Sequence, residues 1–587
     1  MGGGSAGHQP ETRGLNFYSA DRSLRGLLEL YAPADQLAHA TPHLERLGAL
    51  VGAHLDDLAA TVDRHPPALV QRDRHGRDRQ RIECHPAYRE MEALAFGELE
   101  LAALSHRPAL GWPTPLHPAI KYAFTYLFSQ SEFGLMCPVS MTDSLTRTVR
   151  RFAAPALLER YLPALLEHDL ERLHQGAMFI TEQGAGSDVG AVTTRAEPQD
   201  DHWRLYGDKW FCSNADADLA LVLARPEGAE PGIRGLALFL MPRLLADGEH
   251  NAYRIVRLKD KLGTRSMPSG EIRLDGAVAH LVGEPDQGFV QMAEMINQSR
   301  LSNAVRSAGM MRRACHEALA VAHGREAFGS VLADMPLMRR QLAKLLLATE
   351  SALSMVLFTA HVLARADAGE EAAARVLRVL TPLVKFRICR DARRVTGDAM
   401  EVRGGCGYIE EWIEPRLLRD SHLGSIWEGT SNIIALDVLR AARKQRAHEA
   451  AGEMMRARMD ALDALPGELA GLLARRLAGA VALVGEAAAS EGGEVLARQA
   501  ASALYHAVAA VLLACEGVEL AARSGDARRC LWSVAVIEEK LGARDPLAAG
   551  DRAAERELTQ AILSPDPIPL ERASALIRRS CSSAVPG

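Results

Sequence analysis

Ala177-Met178-Phe179-Ile180-Thr181-Glu182-Gln183-Gly184-Ala185-Gly186-Ser187-Asp188 marks a change of texture in this chain. A short apolar run ends in a polar, glycine-rich turn. Further short runs follow at His202–Leu205, Leu219–Ala224, Leu236–Leu240 and Gly270–Leu274, with Gly, Pro and Asp between them. Short apolar runs at turn-limited spacing predict a small β-domain over 176–283. The turn itself reads two ways. It is either a connection between strands or a loop whose backbone N–H groups approach a polar ligand closely. It is not a dinucleotide fingerprint, because the third glycine would fall at Val189.

On both sides of this stretch the chain reads as helical. Upstream, Pro42–Arg64, Ala87–Ala103 and Ala119–Phe128 carry helical periodicity, broken by Pro- and Gly-containing turns. Downstream, Phe289–Phe328, Pro336–Ala368, Glu371–Arg403 and Asn432–His448 have apolar residues at three- and four-residue spacing. Such length predicts a helical bundle. The expected division is a disordered tail over 1–15, an N-terminal helical domain over 16–175, the β-domain over 176–283, the bundle over 284–448 and a C-terminal helical extension over 449–587. The fold class is therefore mainly α with a central β-domain. A β-domain between helical ones leaves clefts at the junctions, where ligand sites often lie.

Composition excludes several classes. The 587 residues are 48% hydrophobic and 24% charged, with a net charge of −6, so a protein that coats nucleic acid over its whole surface is not expected. Nine cysteines, none in a Cys-x-x-Cys pair, argue against a disulfide scaffold or a structural zinc site and predict a reducing, cytoplasmic setting. No metal site is expected. The longest apolar stretch, near Ala500–Cys515, reads as too short to span a bilayer, so no membrane insertion is expected.

Two further blocks carry chemistry. In Gly207-Asp208-Lys209-Trp210-Phe211-Cys212-Ser213-Asn214 the adjacent aromatics serve either core packing or a planar ligand at a strand end. In Ile426-Trp427-Glu428-Gly429-Thr430-Ser431-Asn432 the hydroxyls suit a helix N-cap, and Glu428 is either a solvated carboxylate or a base beside the apolar Trp427. Together with Lys261-Leu262-Gly263-Thr264-Arg265, with Arg325 and Phe328-Gly329, and with Gly404-Gly405-Cys406-Gly407-Tyr408, these ordered blocks resemble the acyl-CoA dehydrogenase family over roughly residues 85–445. Within it the chain is similar to the AidB-like branch of DNA-alkylation-response flavoproteins. Met136–Thr142, Lys209-Trp210-Phe211, the run Arg257–Gly263 and the long terminal regions carry that likeness.

The resemblance implies a helical domain, a β-barrel-like domain, a four-helix bundle and an added C-terminal helical region. It also implies FAD as cofactor and an acyl-CoA thioester as substrate. By this resemblance Thr181 bonds the pyrimidine side of the flavin, and Met178 and Phe179 lie in the same cofactor-binding strand. Ser187 lies near the phosphates and the thioester, Phe211 takes the place of a flavin-stacking tryptophan, and Ser213 faces flavin N5. Arg325 and Phe328 reach the FAD of a neighbouring subunit, which implies a homotetramer. Gly404 and Gly405 admit the pyrophosphate, and Thr430 and Asn432 serve the adenosine half. Glu428 is the catalytic base that removes the α-proton while a β-hydride passes to flavin N5. Arg300, Trp427 and Gly429, with Ser187, line the substrate. A separate electron acceptor is implied as partner.

This chain departs from the family pattern in places. Gln183 replaces a proline, Phe211 replaces tryptophan, and Asn297 stands where many members have Asp in Asp-x-x-Arg. The alternative reading is an AidB-like protein that binds duplex DNA with little acyl-CoA turnover. From residue 441 onward there are 18 Lys+Arg against 19 Asp+Glu, so no bulk attraction for phosphates is expected there. Basic pairs at Arg443-Lys444, Arg475-Arg476, Arg528-Arg529 and Arg578-Arg579 read as solvated helix faces, unless several gather on one surface.

Overall fold

The computed structural model describes residues 9–543, 547 and 551–583. The first eight positions of the expected disordered tail lie outside the described residues. Gln9–Leu15, also assigned to that tail, makes two buried contacts. Thr12 is buried with its hydroxyl on Glu317, and the Pro10 carbonyl accepts from Arg403 Nη1 at 2.8 Å. Buried charges thus bind this segment's backbone and hydroxyl.

The chain forms two compact units, one from residues 39–117 and 127–302, the other from the residues up to 38, 118–126 and those from 303 onward. These units cut across the four expected segments, because the first helices pack on the later ones. The Arg22–Tyr31 helix, for example, packs against Pro336–Asp367 and Ala497–Ser524.

The first of these units is built on a seven-stranded sheet. Leu219–Pro226, Arg195–Pro198, Trp203–Ser213, Ser269–Val282 and Ala237–Pro242 pair in that order, and the last pairs back to the first, closing a barrel. Closure removes the sheet edges. Gly176–Phe179 adds in parallel to Leu219–Pro226, and Tyr253–Leu258 adds to Ser269–Val282. The core holds Phe179, Leu205, Val222, Phe239 and Ile272. Gly176 is required by close approach: a Cβ there would lie 3.0 Å from Thr142 Cα, where the Met136–Phe152 helix crosses the strand. The register of Trp203–Ser213 against Ser269–Val282 shifts between Lys209 and Cys212. That bulge inserts one extra residue and re-aims the side chains at 210 and 211.

The other unit is helical. Pro336–Asp367 and Glu371–Arg403 pack along each other, and Ser431–Gln445 packs on the second. The C-terminal helix Ala497–Ser524 packs against all three, so the extension shares the bundle's core. A buried ion cluster joins them. Glu350 meets Arg312 at 2.7 Å and Arg529 at 2.8 Å, and Arg529 reaches Glu516 at 2.9 Å. Burial would raise the Glu350 carboxyl, but the two guanidinium groups hold it at about 2. The helices Pro336–Asp367 and Gly493–Ser524 are, by length and composition, long and apolar enough to cross a membrane. This corrects the reading that the Ala500–Cys515 stretch is too short, since the helix runs well beyond it on both sides. Most of each apolar window is buried inside the protein. Apolar residues all round a helix also mark a core helix.

Candidate functional site

The barrel unit carries the first set of candidate residues. Thr181 follows the Gly176–Phe179 strand, and its carbonyl accepts from Trp210 N–H at 2.8 Å, which ties the first block to the second. Beneath this junction Lys209 Nζ donates to Glu182 at 2.9 Å and to the Leu223 carbonyl at 2.9 Å. Glu182 also accepts from the hydroxyls of Thr193 and Thr194. Burial opposes the charge on Glu182, but Lys209 and these donors hold its carboxyl at about 2.

The bulge turns Phe211 outward, leaving it 58% exposed. Ser213 is half-buried two residues on, at the strand end. Lys259 Nζ sits 3.3 Å over the Trp210 ring and 5.0 Å from the centre of the Phe211 ring. In the glycine turn Ser187 is exposed, and a Cβ at Gly184 or Gly186 would meet nothing within 4 Å. Met178 is half-buried. Phe179, expected at the cofactor, instead points into the barrel core at 1% exposure, so only its backbone is available to a ligand. Strand alternation is the reason, since successive side chains take opposite faces. Arg300 is half-buried on the Gly288–Gly324 helix and donates to Asn297 Oδ1 at 3.3 Å.

The helical unit carries the second set. Trp427, Glu428 and Gly429 form the turn before the Ser431–Gln445 helix, with Thr430 as its N-cap. Glu428 has φ +56° and Gly429 φ +104°, both left-handed. A glutamate pays a steric penalty there that the surroundings must over-determine. Lys385, 1% exposed, provides the restraint: its Nζ donates to the Trp427 carbonyl at 2.8 Å and to the Gly429 carbonyl. The fully buried Arg306 stacks on the Trp427 ring at 5.1 Å. Below the turn, Asn303 Nδ2 donates to the Gly424 carbonyl at 3.0 Å, and Ser307 contacts Cys389 at 3.4 Å. Burial pushes the Cys389 thiol up, opposed by Lys385. Glu428 and Arg306 act on the same thiol, so all three charged groups surround this spot.

Arg325 and Gly404 also come together, since a Cβ on Gly404 would lie 3.8 Å from Arg325 Nη1. Gly404 has φ +73°, and a Cβ on Gly405 would meet nothing within 4 Å. Phe328 is wholly exposed at φ +52°, and Tyr408 is 82% exposed. Thr430 and Asn432 are exposed at the start of their helix. The structure thus gathers the Glu428 turn, and separately the Arg325–Gly404 pair. Reasoning from sequence missed Lys385, Arg306 and the Glu182–Lys209 pair. A lone lysine inside Leu383-Val384-Lys385-Phe386 was the available signal, because a lysine on an apolar helix face needs buried acceptors. Among the described residues no group of three or more His, Cys, Asp or Glu could hold a metal ion.

Comparison with known proteins agrees with this architecture. Residues 8–172 match the adaptive response protein AidB N-terminal domain. Residues 177–277 match the acyl-CoA dehydrogenase middle domain and 286–443 its C-terminal domain. AidB of Escherichia coli K12, named there as a candidate acyl-CoA dehydrogenase, is 37% identical over 412 residues, 68% of this chain and 73% of its own length. ACDH-11 of Caenorhabditis elegans in complex with C11-CoA superposes with a TM-score of 0.84 at 27% identity, over 93% of this chain and 95% of that one. An acyl-CoA dehydrogenase of Bacillus anthracis complexed with FAD shares the fold, with a TM-score of 0.67 at 18% identity over 85% and 90% of the two chains. A closed barrel between helical segments, with the glutamate turn on the bundle, defines an acyl-CoA dehydrogenase-type flavoprotein fold. The chain belongs to the acyl-CoA dehydrogenase family and carries the AidB-type N-terminal domain.

Proposed function

We propose that this protein is an FAD-dependent oxidoreductase that removes two hydrogens from the α and β carbons of an acyl-CoA thioester. The observation that carries this reading is the Glu428 turn. A carboxylate is held on left-handed backbone beside an indole, with a buried ammonium on both flanking carbonyls. A solvated surface glutamate needs no such restraint.

The residues present fit the cofactor. Phe211 offers an aromatic face that a bulge has turned out of the core, and Ser213 a hydroxyl beside it. Gly404 and Gly405 leave room for backbone approach. The residues that would hold FAD are Met178, Thr181, Ser187, Phe211 and Ser213, with Arg325, Phe328, Gly404, Gly405, Thr430 and Asn432. FAD supplies, when bound, the acceptor for the hydride that leaves Cβ.

The chain's own part is positioning and proton transfer. A Glu428 carboxylate oxygen takes the α-proton. The Glu428 backbone N–H polarises the thioester carbonyl and favours the charge that develops there. Trp427 gives the base an apolar wall, and Arg300, Gly429 and Ser187 are the further candidates to contact the thioester. Phe328 and Tyr408 are large exposed aromatics, which supports a homotetramer in which a second copy covers them. A separate electron-acceptor protein would be the partner that completes turnover. All eight described cysteines are free, which supports a reducing, cytoplasmic compartment.

A DNA-binding role has less support. Of the basic pairs considered, Arg529 is buried between Glu350 and Glu516. Arg443 donates to the Ala488 carbonyl at 2.7 Å, Arg528 to that of Asp566 at 2.6 Å, and Arg579 pairs with Glu557 at 2.8 Å.

The test is anaerobic titration of the purified protein with a panel of acyl-CoAs, read at the flavin band. Bleaching by one class of thioester, slowed by about 10²-fold or more in Glu428→Gln, is the expected result. A colourless protein that takes up no FAD would end this reading.

A further inference from the structure

Three candidates outside the assigned residues were the strongest: an acidic groove on the barrel unit, a run of arginines near Ser431, and the buried lysine beneath the Glu428 turn. The groove is lined by Glu227, Glu230, Ile233, Asp286 and Val290, and nothing on it points to one occupant. The arginines Arg390 and Arg393 donate to the hydroxyls of Ser431 and Ser425 at 3.2 Å each, and nothing there points to one ligand. The lysine touches the turn that holds Glu428.

We propose that Lys385 is a positioning residue for the base, acting through the backbone of the turn rather than on the substrate. Its ammonium binds the carbonyls on both sides of Glu428, those of Trp427 and Gly429. Two carbonyls one residue apart on either side of a left-handed glutamate converge on one point only while that conformation is kept. A single three-donor group at that point therefore locks the turn. The ammonium is 1% exposed and sits on a helix whose neighbours Leu383, Val384 and Phe386 are themselves buried, so it cannot follow the turn if the turn moves. Arg306 closes the other side by stacking on Trp427 at 5.1 Å. Loss of Lys385 frees the turn to relax toward ordinary backbone, which swings the Glu428 carboxylate away from the α-carbon.

The consequence falls on the proton-transfer step and not on binding. Misplacement of a reacting group by about 1 Å costs on the order of 10²-fold in rate. The inference rests on Glu428 being the base, so its test has one arm that does not depend on catalysis. Hydrogen exchange is measured on the full-length protein and on Lys385→Met, over peptides spanning residues 423–434. In the wild type the Trp427 N–H is bonded to the Leu423 carbonyl and the Ile434 N–H to that of Thr430. Exchange in this segment should rise at least about tenfold in the variant while the Glu371–Arg403 helix stays protected. The second arm is kinetic: kcat falls about 10²-fold with little change in KM or flavin content, and Lys385→Arg, which keeps a cation on the two carbonyls, recovers a substantial part. Unchanged exchange at 423–434 in the variant overturns the proposal outright. Loosened exchange together with a wild-type kcat overturns it too. If Lys385→Met does not fold, Lys385→Gln, a shorter neutral donor, is measured in the same way. A folded Gln variant with wild-type exchange and kcat would be equally decisive against it. Loosened exchange in a protein that no acyl-CoA bleaches leaves the clamp standing and instead removes the dehydrogenase reading.

Discussion

Lys209 and Glu182 meet at 2.9 Å with side chains 0% and 6% exposed, next in sequence to Trp210 and Thr181. The pair joins the glycine turn to the Trp203–Ser213 strand across 27 positions of sequence, at the point where the Trp210 N–H also binds the Thr181 carbonyl. Its physical effect is to fix two candidate flavin contacts relative to each other. Burial pulls the Lys209 ammonium below its ordinary value, and Glu182 opposes that.

Removing one partner leaves the other charged and buried. Glu182→Gln should destabilise the protein by about 3–5 kcal/mol, and Lys209→Met similarly. The double variant should lose less than the sum, because no orphan charge remains. Urea unfolding of the four proteins measures the cycle. The pH dependence has a definite sign. The folded carboxyl of Glu182 is depressed to about 2, below its unfolded value of 4.5, so its contribution is present above pH 4.5 and is lost as pH falls toward about 2. The Gln variant should show a shallower loss of stability on acidification over that window.

Phe211→Ala separates a ligand contact from a core contact. A buried phenylalanine costs about 3–5 kcal/mol when truncated. Phe211 is 58% exposed, so its truncation should change stability by no more than about 0.5 kcal/mol. Flavin retention through gel filtration, read as the ratio of flavin to protein absorbance, should nonetheless fall severalfold. Phe179→Ala should do the reverse, with a large loss of stability, since that ring is in the barrel core.

These two phenylalanines show what could be read before the structure. The strand texture of 176–283 was legible, because short apolar runs between turns have few other homes. The bulge at Trp210–Phe211 was not, since one extra residue in a register depends on the partner strand Ser269–Val282. Likewise the Glu428 turn could be singled out, but its restraint could not: Lys385 lies 43 positions away from Glu428 and reaches the turn through the backbone carbonyls of Trp427 and Gly429. Arg529 is the opposite case. Beside Arg528 it reads as half of a solvated basic pair, and only the packing of Ala497–Ser524 on Pro336–Asp367 shows it as an interior charge.

The same internal pairing bears on nucleic acid. With Arg443, Arg528, Arg529 and Arg579 engaged within the fold, these members of the basic pairs are less available to phosphates than their sequence suggests. Duplex DNA should bind no more tightly than the sequence-independent range of about 10⁻⁴–10⁻⁶ M at physiological salt. Fluorescence anisotropy with a labelled duplex, repeated across salt concentrations, gives the number. Sub-micromolar affinity at that salt would require a basic surface built from other residues than these four.

Arg529→Met should be among the most damaging single changes outside the candidate site. It strips one of two guanidinium partners from Glu350 and leaves Glu516 with the hydroxyls of Tyr31 at 2.6 Å and Ser354 at 2.7 Å. Both carboxylates are buried, so the cost is about 3–5 kcal/mol. Arg579→Gln is the control: its side chain is 68% exposed and pairs with Glu557 across the surface, so the change should stay within about 0.5 kcal/mol. The acid limb of the stability curve should also move. Wild-type Glu350 titrates at about 2 in the fold against 4.5 unfolded, so its contribution is present above pH 4.5 and is lost as pH falls toward about 2. With one guanidinium gone, the Glu350 carboxyl takes up its proton at higher pH, and the variant's remaining loss on acidification begins nearer neutrality. Calorimetric unfolding of both variants between pH 3 and 7 reads both effects. Equal stability of Arg529→Met and Arg579→Gln would show that the extension does not share the bundle's core.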